Sequence, residues 1–237
     1  MFKDLKNKVA ILTGGSGFLG MQFAEVLAEA GCIVFNLDIK KNINFEKKIK
    51  NKRLKIHFIK CNIADVRQLK KSKNIIIKAY KRIDFLINNA CKDYKVKKSN
   101  LNKLKLENFS EKIWDTDLKV GLKGTLLCTK IFGKEMINAK RGNIVNISSD
   151  LGIIAPNQEI YLNKGKRFSL KPVTYSVIKH GIIGITKYTA VNWAPYNIRC
   201  NALCPGGMEN NQNKYFLTNK KKLIPLKRMG RFNEYNL

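Results

Sequence analysis

The 237-residue sequence predicts an α/β fold, a single doubly wound parallel sheet with helices on both faces. Three observations predict it. Short Val/Ile/Leu-rich runs alternate with stretches long enough for helices. The runs are apolar almost throughout, as strands covered on both faces are. The first run closes in a glycine-rich turn that leads directly into helical periodicity. Parallel strands joined in this way require crossovers, which are right-handed.

Taken in order, Val9-Ala10-Ile11-Leu12-Thr13 is the first strand. From Phe18 the apolar residues recur at helical spacing through Phe23, Val26, Leu27 and Ala30, and Gly31 stops the helix. Residues 32–37 read as a second strand, and 54–61, alternating apolar and polar, as a third. Helical pattern returns over 66–82, followed by a strand at 84–88, a long helix over 108–139 and a strand at 143–147. A helix over 173–194 and a strand over 198–203 complete the pattern. No internal repeat interrupts it. Residues 233–237 read as a helix start with barely one turn, so the chain is expected to form one domain, 1–237, that stops inside an element.

Composition narrows the function classes. An apolar content of 44% excludes wholesale disorder, and 5 Pro with 16 Gly exclude a collagen-like chain. The formal charge of +29 invites a nucleic-acid or anionic-membrane partner. Against this, only 8 of the 46 basic residues are Arg, and the lysines spread from Lys3 to Lys227 with modest clusters at 47–55, 95–105 and 220–222. A solvated surface is the reading adopted, with no nucleic acid and no membrane as partner. The six cysteines form no CxxC pair and several sit in apolar runs, as buried free thiols do. With no apolar signal core at the N-terminus, these features place the chain in the cytoplasm.

The first turn reads Thr13-Gly14-Gly15-Ser16-Gly17-Phe18-Leu19-Gly20, and Gly15, Gly17 and Gly20 satisfy G-x-G-x-x-G between a strand and a helix, the Rossmann-type arrangement. Glycines permit the tight turn, let the backbone approach a pyrophosphate and leave the helix N-terminus to face the phosphates. Asp38 ends the second strand 18 residues after Gly20, where a carboxylate accepts ribose hydroxyls and repels a 2′-phosphate. That favours NAD, while Lys40 and Lys41 beside it keep NADP open.

Tyr175-Ser176-Val177-Ile178-Lys179 sets a phenol and an ammonium on one helix face. Spacing alone proves little, because Tyr94 and Lys98 form a second such pair in a Lys-rich stretch that reads as loop. Position separates them. Tyr175 follows the strand ending in Ser148-Ser149, at the carboxyl edge of the sheet where open α/β folds bind ligands.

With the glycine turn, Asn88-Asn89-Ala90, Ile147-Ser148-Ser149, Tyr175-x-x-x-Lys179 and Asn201-Ala202-Leu203-Cys204-Pro205-Gly206 in order, the chain resembles the short-chain dehydrogenases/reductases over nearly its whole length. The resemblance implies an oxidoreductase passing hydride between a nicotinamide cofactor and an alcohol or ketone. It assigns catalysis to Ser149, Tyr175 and Lys179, and cofactor contacts to Gly14, Ser16, Gly17, Phe18, Leu19, Gly20, Asp38, Asn62, Ile63, Asn89, Ala90, Tyr175, Lys179, Pro205 and Gly206. It also implies a homo-oligomer, a dimer or tetramer paired through helices.

Departures from the family pattern are expected to matter. Gly121 stands where many members carry an Asn that anchors a proton-relay water, and Asn62 where an Asp commonly faces the adenine. The family continues past the position of Leu237 into a seventh strand, so that strand is expected to be missing here, through natural truncation or because the sequence is a fragment. The 25 residues between Ser149 and Tyr175 are about twice the family's spacing and should overhang the substrate site. Such an insertion is similar to oxidoreductases of flagellin-modification and nonulosonic-acid sugar pathways. That similarity implies an acidic or nucleotide-linked sugar facing Arg167 and the loop lysines, and the alternative of a surface insertion stands beside it. The alternative function is a homologue that binds cofactor but is catalytically impaired.

Overall fold

The computed structural model describes residues 3–92 and 100–235; the Tyr94 to Lys98 pair lies outside them. Its strands are β1 (Val9–Thr13), β2 (Ile33–Asp38), β3 (Ile56–Lys60), β4 (Phe85–Asn88), β5 (Gly142–Ile147), a hairpin of β6 (Leu162–Asn163) and β7 (Lys166–Arg167), and β8 (Ile198–Leu203). Six of these form the central sheet in the order β3-β2-β1-β4-β5-β8, every pair parallel. The helices are α1 (Phe18–Glu29), α2 (Ile43–Asn51), α3 (Val66–Tyr80), α4 (Glu111–Leu118), α5 (Gly124–Ala139), α6 (Val173–Trp193) and α7 (Lys214–Leu223).

Period-two alternation along β1 explains the two helical layers. Val9 and Ile11 enter one core with Leu69 and Ile76 of α3 and Cys128, Phe132 and Met136 of α5. Ala10 and Leu12 enter the other with Phe23 and Ala24 of α1 and Phe45 and Ile49 of α2. Each fully buried Leu, Ile or Phe in these layers contributes ~1.5–3 kcal/mol. The chain winds outward from β1 to β3 and then from β4 to β8, so the loops after β1 and β4 diverge and leave a crevice at the carboxyl ends of the strands.

At the opposite end of β1 the Asp84 carboxylate accepts the Val9 N–H at 2.8 Å and a two-pronged contact from Arg82 at 2.8 and 2.6 Å. Burial works against ionisation of Asp84, but the Arg82 and Val9 hydrogen bonds outweigh it and hold the carboxyl below its ordinary value. The thiols behave as buried groups: Cys32, Cys61, Cys128 and Cys200 are buried, Cys91 and Cys204 half-buried, and all six are free. Burial pushes Cys32 up to about 11 and Cys200 up to about 12. Among the described residues no helix is long and apolar enough to cross a membrane.

Several expectations need correction. The helix expected over 108–139 is broken: two 3-10 turns, Asn102–Leu104 and Leu106–Asn108, precede α4, and a π-helical turn, Lys119–Lys123, separates α4 from α5. Helix α2 was hidden because its stretch is mostly Lys, Asn and Glu and buries only Phe45 and Ile49; α7 buries no side chain fully. Residues 232–235 form a turn rather than a helix start, with the Asn233 N–H donating to Gln22 Oε1 at 2.8 Å and Phe232 set edge-on against Phe18 at 5.8 Å.

Candidate active site

The glycine turn is built by close approach. Gly14 has φ +67°, and a Cβ there would lie 2.7 Å from Ala90 Cα; a Cβ on Gly20 would lie 2.6 Å from Gly15 Cα. A side chain at Gly14 would push the turn off the segment after β4, and one at Gly20 would pry α1 off the turn. Gly17 caps α1 without a side-chain hydrogen bond, so the first-turn N–H groups, which have no acceptor within the helix, remain at the cleft wall with the positive end of the helix dipole. Thr13 joins the two sides of the crevice: its Oγ1 accepts the N–H groups of Asn89 and Ala90, each at 3.0 Å. Asn89 Nδ2 returns bonds to the carbonyls of Thr13 and Gly14 at 3.0 and 3.1 Å.

Asp38 Oδ2 accepts the Ser16 N–H at 3.0 Å and Oδ1 the Lys40 N–H at 3.3 Å, which fixes the carboxylate at the cleft edge. Of the two neighbouring lysines, Lys41 pairs with Glu46 at 3.0 Å. Asn62 Oδ1 accepts the Ala64 N–H at 3.0 Å, an Asx turn after β3, and Ile63 packs against Gly124 of α5. The Pro205 carbonyl accepts the Asp150 N–H at 3.1 Å, joining the loop after β8 to the loop after β5.

Every residue assigned from the sequence to catalysis or to cofactor contact lines one cleft of about 1900 Å³ that runs from Asp38 past the glycine turn to Tyr175. At its far end Lys179 is 4% exposed and its Nζ donates to the Ile147 carbonyl at 2.8 Å. Burial lowers the Lys179 pKa from its ordinary value, and the nearby thiols of Cys91 and Cys204 oppose that only in part. Its ammonium stands 5.5 Å from the centroid of the Tyr175 ring. Ser148 Oγ donates to the Lys179 carbonyl at 2.7 Å, tying α6 to the end of β5. Ser149 caps the 3-10 turn Asp150–Gly152: its Oγ accepts the Leu151 N–H at 3.2 Å and donates to Asp150 Oδ1 at 2.7 Å. Beneath these groups a buried ladder crosses the sheet, with Asn88 Nδ2 donating to Thr129 Oγ1 and Asn146 Oδ1, and Asn146 Nδ2 donating to Thr186 Oγ1.

Gly121 sits in the π-helical turn, buried, and a Cβ there would lie 2.8 Å from Cγ2 and 2.9 Å from Cδ1 of Ile178. An asparagine does not fit at this position in the present packing. The residues between Ser149 and Tyr175 are folded rather than loose. The Gln158 side chain clamps Lys171, donating to its carbonyl at 2.9 Å and accepting its N–H at 3.0 Å. Arg167, expected to face substrate, instead donates to the Gln158 carbonyl at 2.7 Å and lies near Glu159, so it holds the loop. Lys171 takes the place in the cleft, its Nζ 3.7 Å above the centroid of the Tyr175 ring. Helix α7 closes this end: Lys220 pairs with Asp150 at 3.1 Å and Phe216 lies 5.3 Å from Tyr161. Thr13, Gln158 and Lys220 were given no role from the sequence, whereas Lys171 is one of the loop lysines expected at the substrate end. Lys171 did carry a signal, since lysines flank Tyr175 at both the fourth residue before it and the fourth after.

Comparison with known proteins bears on the fold and the family. A family model described as short chain dehydrogenase matches residues 8–221. The NAD-dependent glycerol dehydrogenase of Listeria innocua is 31% identical over 234 residues, 96% of this chain and 83% of that protein. The 3-oxoacyl-[acyl-carrier-protein] reductase of Aquifex aeolicus is 33% identical over 233 residues, 95% of this chain and 86% of that protein. Among solved structures, a short chain dehydrogenase from Leptospira borgpetersenii with bound NAD+ matches with TM-score 0.82 and 27% identity, over 95% of this chain and 81% of that one. With a family model across most of the sequence and relatives of this similarity, the chain belongs to the short-chain dehydrogenase/reductase family.

Proposed function

We propose that this oxidoreductase interconverts a small alcohol and its ketone with NAD as the preferred cofactor, using Tyr175 for proton transfer, Lys179 as its charged neighbour and Ser149 as the hydrogen-bond partner of the reacting oxygen. The observation that carries the reading is the gathering of Ser149, Tyr175 and Lys179 at one end of a cleft whose other end holds the glycine turn and Asp38.

The residues present fit a dinucleotide. The N-terminus of α1, uncapped by any side chain, suits a pyrophosphate, and Asp38 suits an adenosine ribose with free hydroxyls. Ile63 and Ala90 supply apolar wall, and Lys179, which lines the same cleft, would hold the nicotinamide ribose. When bound, the nicotinamide accepts or donates the hydride.

The chain's own groups handle the proton. A free tyrosine, at about 10, is too basic to be ionised near neutral pH. Cations beside Tyr175 favour the phenolate, which takes the alcohol proton in oxidation; in reduction the phenol donates it back. The Ser149 hydroxyl now donates to Asp150, and rotation about its C–O bond redirects that hydrogen to a substrate oxygen. The substrate end is bounded by Leu151, Ile154, Tyr161 and Phe216 as well as by Lys171, so it sets apolar wall beside a lysine ammonium. A polyol or sugar alcohol is the class suggested by the name of the Listeria relative. Exposed Leu126 on α5 and Tyr188 and Val191 on α6 favour self-association through those helices.

The test is a panel of polyols, sugar alcohols and nucleotide sugars with NAD and NADP, read as absorbance of the reduced cofactor. Turnover with NAD exceeding that with NADP supports the reading. Cofactor binding without turnover on any alcohol supports the impaired alternative, which the filled space beside Gly121 favours.

A further inference from the structure

Resting on Tyr175 as the proton-transfer group, we infer that Lys171 is a second cation of the acid–base site, set over the Tyr175 ring by the Gln158 clamp to keep the phenol ionisable near neutral pH. The placement is built rather than incidental. Lys171 lies two residues before α6, and its backbone is held on both sides by one amide, at 2.9 and 3.0 Å. That amide belongs to a 3-10 turn, Gln158–Tyr161, which Arg167 fastens through the Gln158 carbonyl at 2.7 Å. Asn219 of α7 fastens the same turn through the carbonyls of Ile160 and Leu162. The insertion therefore anchors the backbone from which the Lys171 side chain reaches the ring, its Nζ 3.7 Å from the centroid against 5.5 Å for Lys179.

The chemistry needs such a group here. Lys179 is almost wholly buried, with its ammonium committed to the Ile147 carbonyl, and burial disfavours its charged form. Gly121 leaves no polar side chain beside Ile178 on that flank. Lys171 is only half-buried and keeps more of its hydration, so it holds positive charge at lower cost. A cation over an aromatic face gains from the ring quadrupole, and gains more when the ring carries the phenolate charge, so the contact favours ionised Tyr175 over neutral. Among the described residues, the carboxylates beside the site are paired. Asp150, beside Ser149, is paired with Lys220 of α7, and Asp117 of α4 is held by Thr174 at 2.9 Å and by Lys92 at 3.3 Å. Cys91 and Cys204 flank Lys179.

The experiment follows Tyr175 itself. In protein carrying carbon-13 at the tyrosine ring carbon bonded to oxygen, the Tyr175 signal is the one absent from Tyr175→Phe, and its shift is followed against pH. Lys171→Met is expected to raise the titration midpoint by about one pH unit, the lower end of what one opposite charge within ~4–6 Å produces. Lys171→Arg is expected to restore most of it, and the acid limb of kcat/KM for alcohol oxidation is expected to move by the same amount. Lys171→Gln provides a second neutral variant, and retained NADH binding shows that the cleft is folded. An unmoved midpoint in both neutral variants overturns the inference, as does a rise in KM for anionic substrates with the midpoint unmoved. Undiminished turnover in Tyr175→Phe is a separate result and overturns the underlying role of Tyr175.

Discussion

Gly121 offers a quantitative test of how the active-site helix is packed. Adding a single Cβ brings it to 2.8, 2.9 and 3.3 Å from three carbons of Ile178, a side chain 3% exposed that has little room to yield. Forcing extra carbon into a filled core costs ~1–3 kcal/mol, and replacing a helical glycine by alanine returns up to ~1 kcal/mol. Gly121→Ala should therefore lose ~1 kcal/mol net, and Gly121→Asn, bulkier and a poorer helix former, ~2 kcal/mol or more. Ile178→Ala alone should cost ~2–5 kcal/mol through the cavity it leaves. Because alanine at 178 lacks all three clashing carbons, the double variant Gly121→Ala/Ile178→Ala should be more stable than the sum of the single losses by about 1–2 kcal/mol. Urea unfolding of the four proteins, with midpoints and slopes fitted together, measures the cycle. If Gly121→Ala is more stable than the wild type, or if the losses add to within ~0.5 kcal/mol, the packing argument is wrong.

Three other substitutions probe the rest of the scaffold. Thr13→Val removes the oxygen that accepts the Asn89 and Ala90 N–H groups, and should cost ~1–3 kcal/mol and loosen the cofactor end of the cleft, read as a lower Tm with weaker NADH binding. Asp84→Asn should destabilise by ~1–2 kcal/mol at pH 7 by removing the charge that Arg82 grips. Since the folded pKa of Asp84 lies below its unfolded value of about 3.9, its stabilisation is complete above that value and is lost as pH falls through the folded pKa. The gap between wild type and Asp84→Asn should therefore close below about pH 4, and a gap unchanged at pH 3 contradicts the assignment. Asp38→Ser removes the carboxylate proposed to face the 2′ position and should raise the ratio of NADP to NAD affinity by roughly tenfold or more in fluorescence titrations; an unaltered ratio would mean that Asp38 does not select the cofactor.

The core of the fold was readable because its signals are local. β1 is a short apolar run, β8 alternates apolar with polar residues, and α1 shows 3.6-residue periodicity between Gly17 and Gly31. The residues assigned to the candidate site were readable because a glycine turn after a strand, a Ser at a strand end and a Tyr and Lys one helical turn apart form a recognisable set, and all of them line one cleft. What escaped depends on tertiary context. α2 and α7 are polar helices laid on the surface, so periodicity gave them no voice. The π-helical turn at Lys119–Lys123 arises where Gly121 meets Ile178 of α6, a contact between residues 57 apart that no window of sequence contains. Lys171 looked like one more lysine in a basic stretch, and only the Gln158 clamp, made 13 residues away, lifts it over the ring. Arg167 was misread for the same reason, since its partner is a backbone carbonyl.

The central claim is that Tyr175 moves the proton in an NAD-linked reaction. Its most direct test is Tyr175→Phe, measured for turnover on whichever alcohol the panel identifies and for NADH affinity by fluorescence. The phenol-free ring should keep NADH affinity within about twofold while turnover falls by at least ~10²-fold, the lower range of acid–base contributions. Turnover equal to that of the wild type, with cofactor bound, would contradict the account.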